Sequence, residues 1–248
     1  MNPTIRVNVY GPTAGKVARA LLSSGAYLIE RSGDPHRFFK WKAKIEAPVY
    51  CNCRVLFSHP GQRAVVVRSL ASAILAGFPE ANCIIGLAEA GTVWAACVAS
   101  ELGLPVAYVS KTQKEHGVGG MIVGGIPDGV ENDVKAVIVD DLVASGESLD
   151  RAIEILALEK RIRPLGIQSI VNWDFQKSRV CFERLNVSIS TLVSYPQILQ
   201  AALEDDLIGL EAASELTRFY LDPWSHVWTA ESLACLSQRE RRQSQTAC

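Results

Sequence analysis

The stretch A-V-I-V-D-D-L-V-A-S-G-E-S-L, residues 136–149, decides the fold that we expect for this chain. Residues 137–139 are apolar and β-branched, and the run is too short for a helix, so it indicates a buried strand. The run ends in two adjacent carboxylates, Asp140 and Asp141, and a loop of small residues follows. Residues 148–158 then repeat apolar side chains at helical spacing. We therefore predict a strand, an acidic pair, a short loop and a helix.

This order of elements is typical of a phosphate-binding turn between a strand and a helix. Backbone N–H groups and the helix N-terminus face an anion in such a turn. The two carboxylates do not bind phosphate themselves, but they suit hydroxyl groups, a magnesium ion or developing positive charge beside it. A sugar phosphate meets both demands. The plain structural alternative is a buried strand that ends in a solvated acidic turn.

The same stretch resembles the phosphoribosyl-diphosphate (PRPP) signature of type I phosphoribosyltransferases. The resemblance implies that Asp140 and Asp141 hold the ribose hydroxyls and take part in binding Mg²⁺ through PRPP. It also implies a loop for the 5′-phosphate. The residues that match this loop are Ala144, Ser145, Gly146, Glu147 and Ser148.

Composition restricts the remaining classes of function. The chain has 248 residues, 48% hydrophobic and 21% charged, with a formal net charge of −1, so no global charge favours nucleic acid or a membrane surface. Residues 1–10 lack the layout of a signal peptide, and no apolar run has membrane-spanning length, so we expect a cytoplasmic protein. The seven cysteines include no C-x-x-C pair, and with four histidines they do not form a metal motif.

Strands and helices alternate along most of the chain, which predicts a doubly wound, mainly parallel α/β sheet with right-handed crossovers. Ligands of such sheets lie beyond the carboxyl ends of the strands. The predicted strands are 37–45, 48–54, 83–85, 106–110, 137–139, 167–171 and 187–193. The predicted helices are 13–25, 62–76, 92–102, 148–158, 196–203, 209–221 and 229–242.

Three regions follow from this pattern. Residues 1–61 carry an N-terminal helix and short strands that form a hood over the sheet, and residues 62–195 carry the phosphoribosyltransferase core. Residues 196–248 form a C-terminal helical extension, which caps the core or contacts an unknown protein partner.

A second motif follows the strand at 106–110. Residues 111–125 read K-T-Q-K-E-H-G-V-G-G-M-I-V-G-G, and five glycines with two lysines predict a long mobile hairpin. A plain surface loop with solvated charges is the structural alternative. The motif K-E-H-G-x-G-G, upstream of the acidic pair, resembles the flexible catalytic loop of orotate phosphoribosyltransferases. That resemblance covers roughly residues 40–195.

The resemblance implies a homodimer in which this loop closes over PRPP, reaching into the neighbouring subunit. Lys114 matches the lysine that neutralises departing pyrophosphate, with Lys111 as a second cation and His116 near the same diphosphate. Lys42 matches, loosely, a lysine that comes from the hood toward the base and the diphosphate. A nucleobase displaces pyrophosphate from the anomeric carbon, and the mobile loop excludes water and then opens for release.

The chain also departs from the family pattern at charged positions. The arginine before the first loop lysine is Ser110, and the lysine of the diphosphate loop falls near Glu89 or Ala90. An arginine that would meet the orotate carboxylate falls near Asn172 and Trp173. We therefore weigh a different acceptor base, against which Trp173 would stack. The 5′-phosphate loop departs as well, with Ala144 and Glu147 at Thr or Gly positions.

Two functions remain from different classes. The leading hypothesis is an orotate phosphoribosyltransferase-like enzyme that uses PRPP and Mg²⁺. The alternative is a regulator or partner-controlled effector that keeps the fold and a nucleotide site, with residues 196–248 as the contact surface. A dinucleotide-dependent oxidoreductase is disfavoured because no G-x-G-x-x-G follows an early strand.

Overall fold

The computed structural model describes residues 11–30, 37–41, 45–114, 120–124, 134–144, 147–158, 162–175 and 187–225, with backbone alone at 11–12, 111–114, 120 and 147–148. The helices are α1 (Gly11–Ser23), α2 (Pro60–Gly77), α3 (Ala90–Leu102), α4 (Glu147–Leu158), α5 (Tyr195–Glu204) and α6 (Leu210–Leu221), with a 3-10 helix at Cys53–Ser58. The strands are β1 (Tyr27–Ile29), β2 (Phe39–Lys40), β3 (Glu46–Ala47), β4 (Val49–Cys51), β5 (Cys83–Leu87), β6 (Val106–Lys114), β7 (Gly120–Val123), β8 (Val134–Val143), β9 (Ile162–Asn172) and β10 (Ser188–Ser194).

Six of these strands form the central sheet, in the order β10-β9-β8-β5-β6-β7. Every neighbouring pair is parallel except β6 and β7, which form an antiparallel hairpin at one edge. The prediction of a doubly wound, mainly parallel sheet is confirmed. The parallel strands bring their carboxyl ends to one edge, where the functional groups are expected.

Strands β5, β8, β9 and β10 are buried on both faces because their side chains alternate between two apolar clusters. Val137 and Val139 of β8 pack into the larger cluster, with α2 and α3. Ile138 points the other way, into a second cluster that contains Leu149 and Leu156 of α4. The short β-branched run therefore forms a strand covered on both sides by helices.

The N-terminal strands are shorter than predicted. The strand expected at 37–45 is reduced to β2, which pairs with β3. The backbone N–H of Trp41 still donates to the carbonyl of Ile45 at 2.8 Å, and its half-buried side chain donates from the indole N–H to the carbonyl of Val49 at 3.0 Å. The ring also packs against Trp173, Phe175 and Phe219, which fixes this short hairpin to the core. Lys42 lies outside the described residues.

The extended segment predicted at 48–54 is also wrong beyond Cys51. The side chain of Asn52 accepts a hydrogen bond from the backbone N–H of Arg54 at 3.3 Å and so begins the 3-10 helix. Asparagine competes for local backbone hydrogen bonds in this way and turns the chain. This turn points the chain toward the sheet edge.

The two described C-terminal helices pack on the same core as the sheet. The ring of Phe219, on α6, is fully buried among aromatic side chains, and the hydroxyl of Tyr195 donates to the carbonyl of Leu216 at 2.9 Å. Arg19 of α1 forms ion pairs with Glu204 and Asp205 at the end of α5. The helix predicted at 229–242 lies outside the described residues. Among the described residues, no helix has the length and apolar character needed to cross a membrane.

Candidate active site

The acidic pair lies on β8 where its pairing with one neighbouring strand has ended and its pairing with the other continues. β8 pairs with β5 only as far as Val139 and Gly86, whereas it pairs with β9 as far as Val143 and Asn172. The prediction that the strand ends at the carboxylates is therefore wrong, because β9 continues to supply hydrogen bonds. On the β5 side, however, the pairing does end at Val139, directly before Asp140 and Asp141. Such a step at the carboxyl edge is the usual ligand position of a doubly wound sheet.

Two glycines allow the loop after β5 to pack closely against this edge of the sheet. A Cβ atom on Gly86 would lie 2.7 Å from the carbonyl oxygen of Gly91, so this strand end admits no side chain. A Cβ atom on Gly91 would lie 2.7 Å from the carbonyl oxygen of Val139 and 3.2 Å from Oδ1 of Asp140. The start of α3 is consequently packed directly on the acidic end of β8.

The two carboxylates differ in their surroundings. Asp140 is 8% exposed, and its Oδ1 accepts the backbone N–H of Asp141 at 2.9 Å. Asp141 is half-buried, and burial raises the pKa of its carboxyl, although the hydrogen bond with Asp140 and the positive charge of Arg54 act in the opposite direction. A negative group in such a partly dry position stabilises positive charge that develops on a ligand.

A pair of cysteines supports Asp141 from the hood. Cys51 and Cys53 are buried with their sulfur atoms 3.7 Å apart, and the Cys53 sulfur lies 3.8 Å from the carbonyl oxygen of Asp141. The contact with Cys51 and burial raise the pKa of the Cys53 thiol well above its usual value. Cys53 therefore packs as a neutral thiol and is not an activated nucleophile.

The next residue, Arg54, brings a cation to the same edge. Its guanidinium Nη2 lies 3.9 Å from Oε2 of Glu89, and both side chains are more than half exposed. Glu89 directly precedes α3 and makes no side-chain cap, and the first turn of α3 has no acidic residue. The start of α3 thus offers backbone N–H groups and a positive dipole end to an anion. The first residue of α4, Glu147, comes soon after β8 and gives the edge a second helix N-terminus.

The structure brings together some of the predicted site residues and leaves others undescribed. Asp140, Asp141 and Ala144 lie at or just beyond the end of β8, and the backbones of Glu147 and Ser148 open α4. The predicted residues outside the described part of the chain are Lys42, His116, Ser145 and Gly146.

The loop lysines lie on the predicted hairpin. β6 pairs with β5 as far as Val109 and Leu87, then continues beyond the sheet edge through Lys111 to Lys114, which pairs with Gly120 of β7. The backbones of the two lysines therefore extend beyond the carboxyl edge of the sheet, where the ligand is expected. The antiparallel pairing of β6 and β7 confirms the hairpin, and its mobility stays a prediction.

Trp173 is not where a stacking base requires it. Its side chain is 3% exposed and packs among aromatic rings, with the ring of Phe175 nearly parallel at 5.9 Å and that of Trp41 at 4.7 Å. Burial of this size is a core contribution. The hypothesis that Trp173 stacks on the acceptor is therefore replaced by a structural role.

The donor set at the edge suits magnesium only in part. Among the described residues, no cluster of three or more histidine, cysteine, aspartate or glutamate side chains is arranged to hold a metal ion. Mg²⁺ is commonly bound by one or two carboxylates together with substrate phosphates and water. Asp140 and Asp141 fit that arrangement, in which PRPP would supply the missing oxygen ligands.

Sequence reasoning missed Arg54 and Gly91. The signal for Arg54 was Asn52, which favours a turn over continued strand, and the signal for Gly91 was the loop L-A-E-A-G-T at a strand end. Both positions depend on how close separate segments approach, which a single sequence does not record.

A parallel doubly wound sheet, an acidic pair at its carboxyl edge and two helix N-termini beside it define a protein that binds a phosphorylated sugar or nucleotide. A model of the phosphoribosyl transferase domain matches residues 59–179. The orotate phosphoribosyltransferase of Enterococcus faecalis is 33% identical over 210 residues, which cover 85% of this chain and 96% of that protein. The enzyme of the same name from Cutibacterium acnes is 31% identical over 215 residues, covering 86% and 97%.

Solved structures agree in fold. The orotate phosphoribosyltransferase of Aeropyrum pernix superimposes with a TM-score of 0.63 and 23% identity, covering 78% of this chain and 99% of that chain. Leishmania donovani UMP synthase gives a TM-score of 0.69 over 84% of this chain and 42% of that one. The chain belongs to the type I phosphoribosyltransferase family, and it is an enzyme that transfers a phosphoribosyl group from PRPP to a nucleobase.

Proposed function

We propose that this enzyme transfers 5-phosphoribose from PRPP to orotate, with release of pyrophosphate, as part of pyrimidine nucleotide biosynthesis in the cytoplasm. The observation that supports this most is the acidic pair beside the N-terminus of α3, which gives this edge of the sheet both negative and positive groups. The relatives that match this chain over nearly their whole length are named orotate phosphoribosyltransferase.

The negative and the positive groups at this edge have separate tasks in the reaction. The ribose lies over Asp140 and Asp141, whose carboxylates bind its hydroxyls and favour the positive charge that develops on the ring. The 5′-phosphate lies at the start of α4, bound by the segment Ala144–Ser148. The diphosphate lies at the start of α3, where backbone N–H groups stabilise the charge that it gains on leaving.

Asp140 and Asp141 would hold a magnesium ion together with PRPP, and the ion would supply further positive charge to the leaving group. The hairpin 111–125 closes over the diphosphate with Lys111, Lys114 and His116, and Lys42 approaches from the hood. Closure excludes water, so that the base rather than water receives the ribose. In this proposal the protein is a homodimer, and the hairpin of one subunit completes the site of the other.

The acceptor is tested by a panel of bases. Orotate, uracil, adenine, guanine and hypoxanthine are each incubated with PRPP, Mg²⁺ and the full chain, and pyrophosphate release is measured. We expect orotate to give the highest kcat/KM. Faster turnover of another base would overturn orotate as acceptor. Tight binding of a nucleoside monophosphate without turnover of any base would instead favour a regulator.

A further inference from the structure

The carboxyl edge of the sheet carries more negative charge than a site for a diphosphate should. Asp140, Asp141 and Glu89 all lie at this edge, and Glu89 directly precedes the helix N-terminus that would meet the diphosphate. PRPP is itself strongly anionic, so an exposed carboxylate at this position repels it. A cation close to Glu89 is therefore needed for binding.

Arg54 is placed to supply that cation. Its guanidinium lies 3.9 Å from the Glu89 carboxylate, and its positive charge acts on Asp141 as well. The backbone that carries Arg54 is held in place by the two preceding residues. Asn52 begins the 3-10 helix, and the buried side chain of Cys53 contacts the carbonyl of Asp141. Arg54 thus extends from an anchored turn at the carboxyl edge of the sheet, where its charge acts on both Asp141 and Glu89.

The contact with Glu89 is of the kind that a ligand readily replaces. Both side chains are largely exposed, at 54% and 70%, and 3.9 Å is long for a charged hydrogen bond. A guanidinium binds two phosphate oxygens in a planar fork, which gives a much stronger contact than an exposed carboxylate at this distance.

We propose that Arg54 is a substrate-binding residue that contacts the diphosphate of PRPP, and that Glu89 holds the guanidinium near the start of α3 until the diphosphate replaces it. This inference rests on the proposed function, because it requires PRPP to bind at this edge. Through Arg54 the hood contacts PRPP directly, and the guanidinium compensates the negative charge of Glu89.

The test measures KM for PRPP and PRPP affinity in Arg54→Ala, Arg54→Lys and Glu89→Gln. Loss of a charge-assisted contact raises KM for PRPP about tenfold to a hundredfold in Arg54→Ala. Arg54→Lys gives a smaller rise, because the charge remains but the planar fork is lost. Glu89→Gln lowers KM, since it removes both the repulsion and the competing partner. A merely structural role for the pair would instead move both variants in the same direction.

Arg68→Ala is the matched control. Arg68 is an exposed arginine of α2 that lines a groove against the carboxyl-terminal half of α3, from Ala96 to Glu101, and so faces the end of α3 away from Glu89. Its removal changes net charge equally and is expected to leave KM for PRPP within twofold. Equal effects of Arg54→Ala and Arg68→Ala would overturn the proposal, as would a higher KM in Glu89→Gln.

Calorimetric titration with PRPP and Mg²⁺ in the absence of base separates this inference from the choice of acceptor. Wild type that binds PRPP but turns over no base contradicts the proposed function while still testing Arg54 by affinity. Wild type that does not bind PRPP overturns both. If Arg54→Ala does not fold, Arg54→Lys and Glu89→Gln still shift affinity in opposite directions, and the absence of that opposition contradicts the proposal.

Discussion

The carboxyl group of Asp141 is half-buried at the end of β8, and burial raises its pKa. A raised pKa means that the folded protein holds a proton on Asp141 more tightly than the unfolded chain does. The contribution of Asp141 to the free energy of unfolding is therefore largest below the ordinary pKa of an aspartate. It is lost as the pH rises through the raised pKa of the folded protein. At neutral pH the charged carboxylate of Asp141 therefore lowers the free energy of unfolding, as is common for functional groups.

We accordingly predict that Asp141→Asn is more stable than wild type at neutral pH, because the amide carries no charge to desolvate. A gain of 1 kcal/mol corresponds to about 2–4 °C in Tm for a chain of this size. The advantage should shrink as pH falls toward the ordinary aspartate pKa, where wild type is protonated too. Thermal unfolding between pH 4 and pH 8 measures this, and a stability deficit at neutral pH would contradict it.

Gly91 gives a second prediction at the level of a single residue. In Gly91→Ala the new methyl group would meet the carbonyl of Val139 and the side chain of Asp140, so α3 must move away from β8. We expect lower Tm and a loss of activity of about tenfold or more, since small displacements of binding groups are costly. Gly77→Ala is the control, because a Cβ atom at this position, the end of α2, would have no other atom within 4 Å. It should be neutral or slightly stabilising.

At the scale of elements, β8 and α4 were predictable because a β-branched run and a helical repeat are local patterns. The hood was not. Trp41, directly after β2, packs against rings that are distant in sequence, and β4 ends at Cys51 because Asn52 turns the chain. The function of Arg54 depends on that turn, which explains why the site was only partly predictable from sequence.

α6 makes the clearest test of how the C-terminal extension contributes. Phe219 is fully buried in the aromatic cluster, whereas Leu221, two residues on, is 69% exposed. Phe219→Ala should reduce the free energy of unfolding by about 3–5 kcal/mol. Leu221→Ala should change it by less than about 0.5 kcal/mol. Urea denaturation measures both, and similar small losses would mean that α6 does not stabilise the core.

At the scale of the whole molecule, the prediction of a shared site concerns the hairpin formed by β6 and β7. This hairpin extends past the edge of the sheet, and the proposed homodimer uses it in the neighbouring subunit. Mixing two inactive variants, Asp141→Asn and Lys114→Ala, then restores some intact sites, because a mixed dimer has one site with neither change.

Random exchange of subunits makes half of the dimers mixed, so about a quarter of wild-type activity should return. The rate of pyrophosphate release is measured before and after subunit exchange. A mixture no more active than the sum of its parts would show that each hairpin serves its own subunit. Light scattering on each variant controls for a change in oligomeric state.

The central claim is that phosphoribosyl transfer takes place over the acidic pair at the end of β8. The most direct measurement is kcat for pyrophosphate release from PRPP and orotate by wild type, Asp140→Asn and Asp141→Asn, with folding verified by circular dichroism. We predict that wild type releases pyrophosphate in the presence of orotate. In both folded variants, kcat should fall about a hundredfold or more. Release that continues at the wild-type rate in either folded variant would contradict it.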